Sequence, residues 1–303
     1  IGGISPDFSF SAKIGSDEVF IIEADEYDSA FFDKRSKFIH YSPNILLINN
    51  IEFDHADIFN DLDSIKKQFH HLLKIIPSTG KIIFFNHDKN ALDVVNEGCW
   101  SDSIEINGNS SIASYDSRTA TINFDGKSVC LSDLPFYGSH NNLNAVAAII
   151  SASSYGINPN DAYDGLKDFS GVLRRLEKKG TFRGITILDD FAHHPTAIKS
   201  TIKAVKEKYT EKKILNIIEL GSNTMSGGFH GDELFSIDNL DSQILWLDHK
   251  SILKDNRGNI HDSHESLIKA ASKIYSNFDI ILIMTNKNSN NLFEPLKDII
   301  ETN

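Results

Sequence analysis

Short apolar runs and amphipathic stretches alternate along the second half of the chain, and this alternation constrains its fold more than any other feature. The apolar runs lie at residues 184–188, 214–218, 243–247 and 279–284, and the helical patterns lie at 195–209, at 263–274 and up to about 300. Strands that alternate with helices bury their apolar sides as a sheet covered by helices. The pattern predicts an α/β domain, which we assign to residues 173–303 with a boundary near 171–173.

The first half of the chain, residues 1–172, predicts another α/β domain with a small antiparallel addition. Continuous apolar runs at 19–22 and 45–48, each followed by polar residues, are typical of strands buried on both faces of a parallel sheet. The sequence also predicts helices at 61–76, at 92–96, at 140–155 and after Pro159, and a strand at 81–85. Three short β-like pieces between 112 and 131 predict antiparallel hairpins.

Length and composition exclude several classes of protein. The chain has 303 residues, which suits about two domains. Its 30 basic and 42 acidic residues give a net charge of -12, which disfavours nonspecific binding to nucleic acid. No apolar run approaches the roughly 20 residues that a membrane span needs. The only two cysteines, Cys99 and Cys130, fit a reducing, cytoplasmic compartment.

The chain begins at Ile1 without an initiator methionine and without the features of a signal peptide. We interpret it as a piece of a longer protein.

Two acidic segments follow the first two predicted strands. The residues after 19–22 include Glu23, Asp25, Glu26 and Asp28, and those after 45–48 include Glu52, Asp54, His55 and Asp57. Because ligands bind at the carboxyl ends of parallel strands, we expect the two segments to meet across one crevice. Crowded carboxylates favour a hard cation such as Mg²⁺. A solvated acidic turn, with His55 an ordinary surface histidine, is the alternative, and both interpretations stay open on position alone.

Three further polar segments are candidates for binding or catalysis. Asn141 and Asn144 share one face at the start of a predicted helix, so their amides can meet the polar edge of a base, although capping of the helix is the simpler interpretation. Arg174, at the domain boundary, can reach phosphate oxygens, but surface arginines are common. A strand-to-helix turn carries paired acids and paired histidines, namely Asp189, Asp190, His193 and His194. Packing alone does not explain that turn, and we favour a functional role for it.

A glycine-rich loop that ends in Gly-Lys-Ser or Gly-Lys-Thr is absent from the sequence. The chain therefore has no P-loop to hold the phosphates of ATP. The residues indicate a metal and a nucleotide, without the usual phosphate-binding loop.

Four motifs together resemble, in order and spacing, the Mur ligase family of ATP-dependent amide-bond-forming enzymes. The motifs lie at residues 23–26, 50–55, 140–144 and 189–196. Within that family, segments 27–38, 54–59 and 68–72 look like the subgroup that joins UDP-N-acetylmuramate to L-alanyl-gamma-D-glutamyl-meso-diaminopimelate in cell-wall recycling. The resemblance covers nearly the whole chain and is weakest at 107–131 and after 232.

The resemblance implies a fold and a reaction. Family members have an N-terminal domain for the UDP-sugar, a central P-loop-type parallel-sheet domain and a C-terminal Rossmann-like domain; this chain is similar to the second, without its P-loop segment, and to the third. ATP would phosphorylate the muramoyl carboxylate, the peptide amine would attack, and phosphate would leave, with Mg²⁺ screening the charges. We expect the chain by itself to be inactive.

The resemblance also assigns roles to residues by position. Glu23 and His55 resemble metal ligands, and His140, Asn141 and Asn144 match the segment that contacts adenine. Arg174 matches an arginine near the phosphates, Asp190 an acid that meets the ribose, and His193 and His194 a pair on the acceptor side. We count His55, Arg174, His193 and His194 as catalytic, and Asp25, Glu26, Ser222 and Asn223 as substrate-binding.

Two departures from the family pattern affect the acceptor side. Gly221 stands where the family usually has an arginine that suits a substrate carboxylate. Residues 285–291 replace an expected glycine-rich loop. Two other hypotheses remain. One is a ligase that adds L-alanine to the same sugar nucleotide, which shares the metal and adenine motifs; the other is a noncatalytic nucleotide-binding remnant, which the missing P-loop and the lost arginine favour.

Overall fold

The computed structural model describes residues 2–8, 10–15, 18–109, 111–237, 240, 243–253 and 259–302. The chain divides into two compact units. The first unit comprises residues 1–2 and 7–170, and the second comprises residues 3–6 and 171–303.

The first unit is built on a parallel sheet of three strands, in the order β3-β4-β5. Its strands and helices are β1 (Asp28–Ala30), β2 (Asp33–Ser36), β3 (Ile45–Ile48), α1 (Leu62–Ile75), β4 (Lys81–Phe85), α2 (Lys89–Glu97), β5 (Asp102–Ile106), β6 (Ala113–Asp116), β7 (Thr121–Phe124), β8 (Lys127–Cys130), α3 (Ser139–Tyr155) and α4 (Pro159–Lys167). The predicted helices, the strand at 81–85 and the antiparallel sheet β6-β7-β8 are confirmed. β5, which extends the parallel sheet, was not predicted.

Side chains that alternate along β4 fill two separate cores, one on each face of the sheet. Ile83 and Phe85 pack with α3 and with the sheet β6-β7-β8. Ile82 and Phe84 pack with α1 and α2 on the opposite face. Each helix therefore presents an apolar side to the sheet, as its periodicity predicts.

The prediction of a strand at residues 19–22 is wrong. These residues form no strand, and Phe20 and Ile21 are 76% and 90% exposed. A parallel-sheet strand is stable only when neighbouring strands pair with it and helices cover it. In the described part of the chain, β3 pairs only with β4, so the apolar run has no partner in the sheet. Hydrophobicity alone did not show whether a partner strand was present.

The second unit is a six-stranded sheet in the order β13-β12-β11-β14-β10-β9. Its elements are β9 (Glu177–Phe182), β10 (Ile185–Asp190), α5 (Pro195–Lys208), β11 (Ile214–Glu219), α6 (Asn223–Ser226), α7 (Gly231–Phe235), β12 (Gln243–Leu247), β13 (Ile260–His261), α8 (His264–Ala271), β14 (Ile280–Met284) and α9 (Asn290–Thr302). Parallel pairing joins β13, β12, β11, β14 and β10 in that order. Within the described residues of this sheet, only the edge strand β9 pairs antiparallel, with β10. The predicted α/β alternation is confirmed.

In a parallel α/β sheet the chemistry lies at the carboxyl ends of the strands. In the second unit those ends carry the buried acids Asp189, Asp190, Glu219 and Asp248. Among the described residues, no helix is both long enough and apolar enough to cross a membrane.

Candidate functional site

His55 is the centre of an acidic cluster in the first unit. Its ring nitrogen Nε2 lies 3.0 Å from Glu26 Oε1, and its ring centroid lies 4.2 Å from that of Tyr27. The backbone of His55 is in the left-handed region, with φ 55°, and its amide donates to Asp54 Oδ1 at 2.7 Å. The two acidic segments that follow residues 19–22 and β3 therefore meet, although the first segment does not follow a strand.

Burial and nearby carboxylates both act on the pKa values of this cluster. Burial and nearby carboxylates raise the pKa of Tyr27 to about 12; the carboxylates belong to Asp25, Glu26, Asp54 and Asp57. Burial would lower the pKa of His55, but the hydrogen bond to Glu26 and the surrounding acids outweigh it and raise that pKa above its usual value. The raised pKa of His55 reflects the carboxylates around it, whereas the raised pKa of Tyr27 is due first to burial and then to those carboxylates.

The chemistry of the cluster fits a hard divalent cation. Carboxylate oxygens are the ligands that Mg²⁺ prefers, and Asp25 and Glu26 keep 40% and 22% of their side-chain surfaces exposed. Lys37 Nζ already neutralises Asp25 at 3.1 Å. The acidic partner of His55 is Glu26, whereas the exposed Glu23 places its carboxylate against Gly2. The roles of Glu23 and His55 as metal ligands stay predictions.

A cluster of amide side chains joins the end of β3 to the start of α3. Asn49 Nδ2 donates to Asn144 Oδ1 at 3.0 Å, and Asn144 Nδ2 lies 3.5 Å from Asn141 Oδ1. Asn141 also donates to the carbonyl oxygen of Tyr137 at 2.8 Å. Asn144 is exposed, and His140 is half-buried one residue before Asn141. The amides offer donors and acceptors together, which is what the polar edge of a base requires.

Arg174 is held within the second unit. Its Nε lies 3.3 Å from Asp189 Oδ2, and its Nη2 donates to the carbonyl oxygen of Thr285 at 2.5 Å. Its guanidinium also lies over the ring of Phe191, 5.0 Å from the centroid. In this arrangement Arg174 fastens the loop before β9 to the ends of β10 and β14.

Asp190 is buried and fully engaged with nearby donors. Its carboxylate accepts from the amides of Leu176 and Ala192, both at 2.8 Å, and from Thr201 Oγ1 at 3.3 Å. Burial raises the pKa of Asp190 in spite of these hydrogen bonds. The contacts hold the strand-to-helix turn in place, and a contact with ribose stays a prediction.

The paired histidines after Asp190 have separate local partners. His193 Nδ1 lies 3.0 Å from the carbonyl oxygen of Phe191. His194 is the N-cap of α5, where its Nδ1 accepts from the amide of Thr196 at 3.3 Å, and its ring packs edge-on against His230. The two histidines therefore have different local partners, and their catalytic role on the acceptor side stays a prediction.

The residues predicted on the acceptor side surround a short helix. Ser222 is the N-cap of α6, and its Oγ accepts from the amide of Met225 at 3.1 Å, with Asn223 next in the helix. A side chain at Gly221 would meet Asn286 Oδ1, and its Cβ would lie 2.9 Å from Cγ of Lys287. The loop that replaces the expected glycine-rich segment thus fills the space beside Gly221.

The structure also brings together three residues that the sequence analysis did not select: Glu219, His249 and His264. They come from β11, from the loop after β12 and from the start of α8, which are far apart in sequence. Only the positions of Glu219 and His249 just after predicted strands could have indicated them.

Two domain models match the chain. The model of the Mur ligase middle domain matches residues 6–152, and that of the Mur ligase glutamate ligase domain matches residues 174–287. The UDP-N-acetylmuramate–L-alanyl-gamma-D-glutamyl-meso-2,6-diaminoheptandioate ligase of Escherichia coli K12 is 44% identical over 240 residues, which are 77% of this chain and 52% of that protein. The UDP-N-acetylmuramate–L-alanine ligase of Clostridium botulinum (strain Hall) is 32% identical over 253 residues, 81% of this chain and 53% of that protein.

The chain therefore spans about half the length of these relatives. A crystal structure of a murein peptide ligase from Psychrobacter arcticus matches with a TM-score of 0.71 and 34% identity, over 97% of this chain and 66% of that one. Both domain models, the relatives and this solved structure agree. The chain belongs to the Mur ligase family.

Proposed function

We propose that the chain is the catalytic middle and C-terminal part of an ATP-dependent ligase that joins UDP-N-acetylmuramate to L-alanyl-gamma-D-glutamyl-meso-diaminopimelate in peptidoglycan recycling. Residues 1–172 form its ATP- and Mg²⁺-binding domain, and residues 173–303 form its Rossmann-like domain. The observation that carries the substrate assignment is the 44% identity with the Escherichia coli tripeptide ligase, against 32% with the L-alanine ligase. The consumption of ATP and a sugar nucleotide places the reaction in the cytoplasm.

The acidic cluster supports the proposed metal dependence. Mg²⁺ would neutralise the ATP phosphates and the muramoyl carboxylate as they approach each other. Glu23 and His55 would hold the ion, while Glu26 keeps the His55 ring oriented through their 3.0 Å contact. Asp25 and Glu26 border the same space and would face the substrate.

The other residues divide between the nucleotide and the acceptor. His140, Asn141 and Asn144 would bind adenine through the amide cluster beside Asn49. Arg174 and Asp190 would bind phosphate and ribose, and His193, His194, Ser222 and Asn223 would line the acceptor side. ATP would transfer its γ-phosphoryl group to the muramoyl carboxylate and leave as ADP, and the peptide amine would then attack the acyl carbon and displace phosphate to form the amide bond.

The test is phosphate release from ATP in the presence of UDP-N-acetylmuramate, with either the tripeptide or L-alanine as acceptor. It compares the 303-residue chain with the full-length enzyme, because the chain has no P-loop. We expect tripeptide-dependent, Mg²⁺-dependent turnover by the full-length enzyme only. Turnover with L-alanine alone would identify the other ligase, and nucleotide binding without turnover would identify a noncatalytic protein.

A matched pair of histidine variants tests the site within that assay. His55→Ala in the full-length enzyme should lower Mg²⁺-dependent turnover by about 100-fold or more, because loss of an outer partner of a metal ligand already costs about 10- to 100-fold. His71→Ala, on the half-exposed side of α1, should leave turnover unchanged. Equal activity and equal Mg²⁺ dependence in both variants would contradict the assignment of His55.

A further inference from the structure

Three side chains at the carboxyl edge of the second unit's sheet converge on one point that the proposed reaction does not use. Glu219 is the last residue of β11, His249 lies two residues beyond β12, and His264 is the first residue of α8. One oxygen of Glu219 and one nitrogen of each histidine lie within 4.8 Å of one another. A single ion can bridge three groups at that spacing.

The distances within the set are close to those of a zinc site. His249 Nε2 lies 3.3 Å from Glu219 Oε1, and His264 Nε2 lies 3.9 Å from the same oxygen. Two ligand atoms that are each about 2.0 Å from a tetrahedral Zn²⁺ lie about 3.3 Å apart. One pair already has this separation. A movement of the His264 ring would have to bring its nitrogen closer both to Glu219 Oε1 and to the His249 nitrogen, and all three ligand atoms already lie within 4.8 Å of one another.

Neighbouring groups orient two of the three side chains. Thr285 Oγ1 donates to Glu219 Oε2 at 2.5 Å, which leaves Oε1 facing the histidines. His249 Nδ1 lies 2.9 Å from the carbonyl oxygen of Asp262, which can only accept. Metal-binding histidines usually donate their second ring nitrogen to such an oxygen, and metal-binding carboxylates are themselves hydrogen-bonded.

With a neutral His249, the same hydrogen bond leaves the set unfavourable without a metal ion, whereas a second proton on His249 would satisfy Glu219 but would leave His264 Nε2 without a partner in the described residues. A neutral imidazole that carries its proton on Nδ1 has a lone pair on Nε2, so His249 Nε2 would face the lone pairs of Glu219 Oε1. His264 Nε2 is buried and has no hydrogen-bond partner within the described ranges. Glu219 is only 3% exposed, and a buried carboxylate needs a compensating charge. A cation at the centre would satisfy all three atoms.

We propose that Glu219, His249 and His264 bind a divalent transition-metal ion of the zinc class, with water as the fourth ligand. Two imidazoles and one carboxylate suit Zn²⁺, and imidazole nitrogens disfavour Mg²⁺, which prefers oxygen. The ion would join the loop after β12 and the start of α8 to the end of β11. This site is independent of the Mg²⁺ site of the proposed ligase.

The experiment measures Zn²⁺ binding to the 303-residue chain after EDTA treatment, by competition with a chromophoric chelator. We expect one tight site per chain. His249→Ala and His264→Ala should each weaken binding by about 100-fold or more, since loss of an outer partner of a metal ligand already costs about 10- to 100-fold. Glu219→Gln, which can still accept from Thr285, should also weaken it. Co²⁺ should give the visible absorption of a four-coordinate ion in the unmodified chain and not in these variants.

His261→Asn is the matched control, because His261 lies in β13, three residues before His264, and also has a buried Nε2 without a hydrogen-bond partner. Its Zn²⁺ affinity should equal that of the unmodified chain. The proposal fails if no stoichiometric site is found, or if His249→Ala and His264→Ala bind Zn²⁺ as tightly as His261→Asn. If an alanine variant does not fold, the Co²⁺ spectrum of the unmodified chain decides: four-coordinate absorption supports the site, and its absence overturns it.

Discussion

Acidic residues follow strand-like segments in both units, but their surroundings differ. Around His55, Asp25 and Glu26 are part-exposed, and Asp57 is exposed. In the second unit, Asp189 and Asp190 are at most 5% exposed. Partly hydrated carboxylates can exchange water for a metal or a substrate, whereas buried ones have lost their water and need a partner from the protein or a bound ion. The position of an acid after a strand therefore does not reveal whether it binds a ligand or holds a loop.

The largest expected change in the free energy of unfolding is at the buried Asp190 of the second unit. Asp190→Ala removes the acceptor of the Leu176 and Ala192 amides and leaves two donors unsatisfied. We expect the free energy of unfolding to fall by about 2 to 5 kcal/mol. Urea unfolding measures it. Asp28→Ala, which breaks only an exposed ion pair with Lys34, should change it by less than about 1 kcal/mol. Equal losses in the two variants would remove the distinction between the units.

A second variant restores the residue that the family pattern has beside the acceptor. Gly221→Arg places a side chain where Asn286 and Lys287 already lie. We expect a loss of about 1 to 3 kcal/mol in unfolding free energy, the usual cost of overpacking. Thermal unfolding measures it, and Ser222→Ala provides a comparison that loses about 1 kcal/mol through its helix cap. A Gly221→Arg variant as stable as the original chain would show that the loop moves aside freely.

The pKa of Asp190 predicts a smaller, pH-dependent effect. Burial raises its folded pKa above the unfolded value, so the folded state binds the proton more tightly. Stability from this group is therefore greatest below the unfolded pKa and falls as pH rises through the folded pKa. The stability of the chain relative to its Asp190→Asn variant, which cannot ionise, should decrease from acidic to neutral pH. Urea unfolding across that range checks the sign, and a relative stability that rises with pH would contradict it.

The smallest expected change in the free energy of unfolding is at the exposed Asp57 of the first unit. Asp57→Asn removes one charge from the group of acids around Tyr27 and His55. We expect a gain in unfolding free energy of no more than about 0.5 kcal/mol at low salt, because surface changes are usually that small. The gain should vanish at high salt, where repulsion is screened. A clear loss of stability would show that Asp57 has a structural role like that of Asp190.

Local patterns predicted most of the regular elements because their causes are local. Helix α1 begins where Asp61 and Ser64 form a capping box, and its apolar residues recur at helical spacing. Helix α3 ends at Gly156, whose φ of 116° suits glycine. Strand β9 was missed because its sequence, Glu177–Phe182, lacks an apolar run, and it forms through antiparallel pairing with β10.

The candidate site was only partly predictable. The i and i+3 spacing of Asn141 and Asn144 placed their amides together, as the structure shows. The sequence did not determine which acid contacts the His55 ring, because several acids lie near it in sequence. The structure shows that this acid is Glu26. Residues 19–22 show that hydrophobicity alone does not predict a strand, because an apolar run becomes a strand only when another strand pairs with it.

The sequence by itself determined the α/β class, most helices and strands, and the family, because periodicity, capping and ordered motifs are properties of neighbouring residues. Only the tertiary structure decided which acids are buried and which side chains meet. Ser289 reaches Asp189 across 100 positions, and Thr285 reaches Glu219 across 66. Such contacts depend on how distant strands are ordered in the sheet, and that order is set by packing of the whole unit rather than by any local segment.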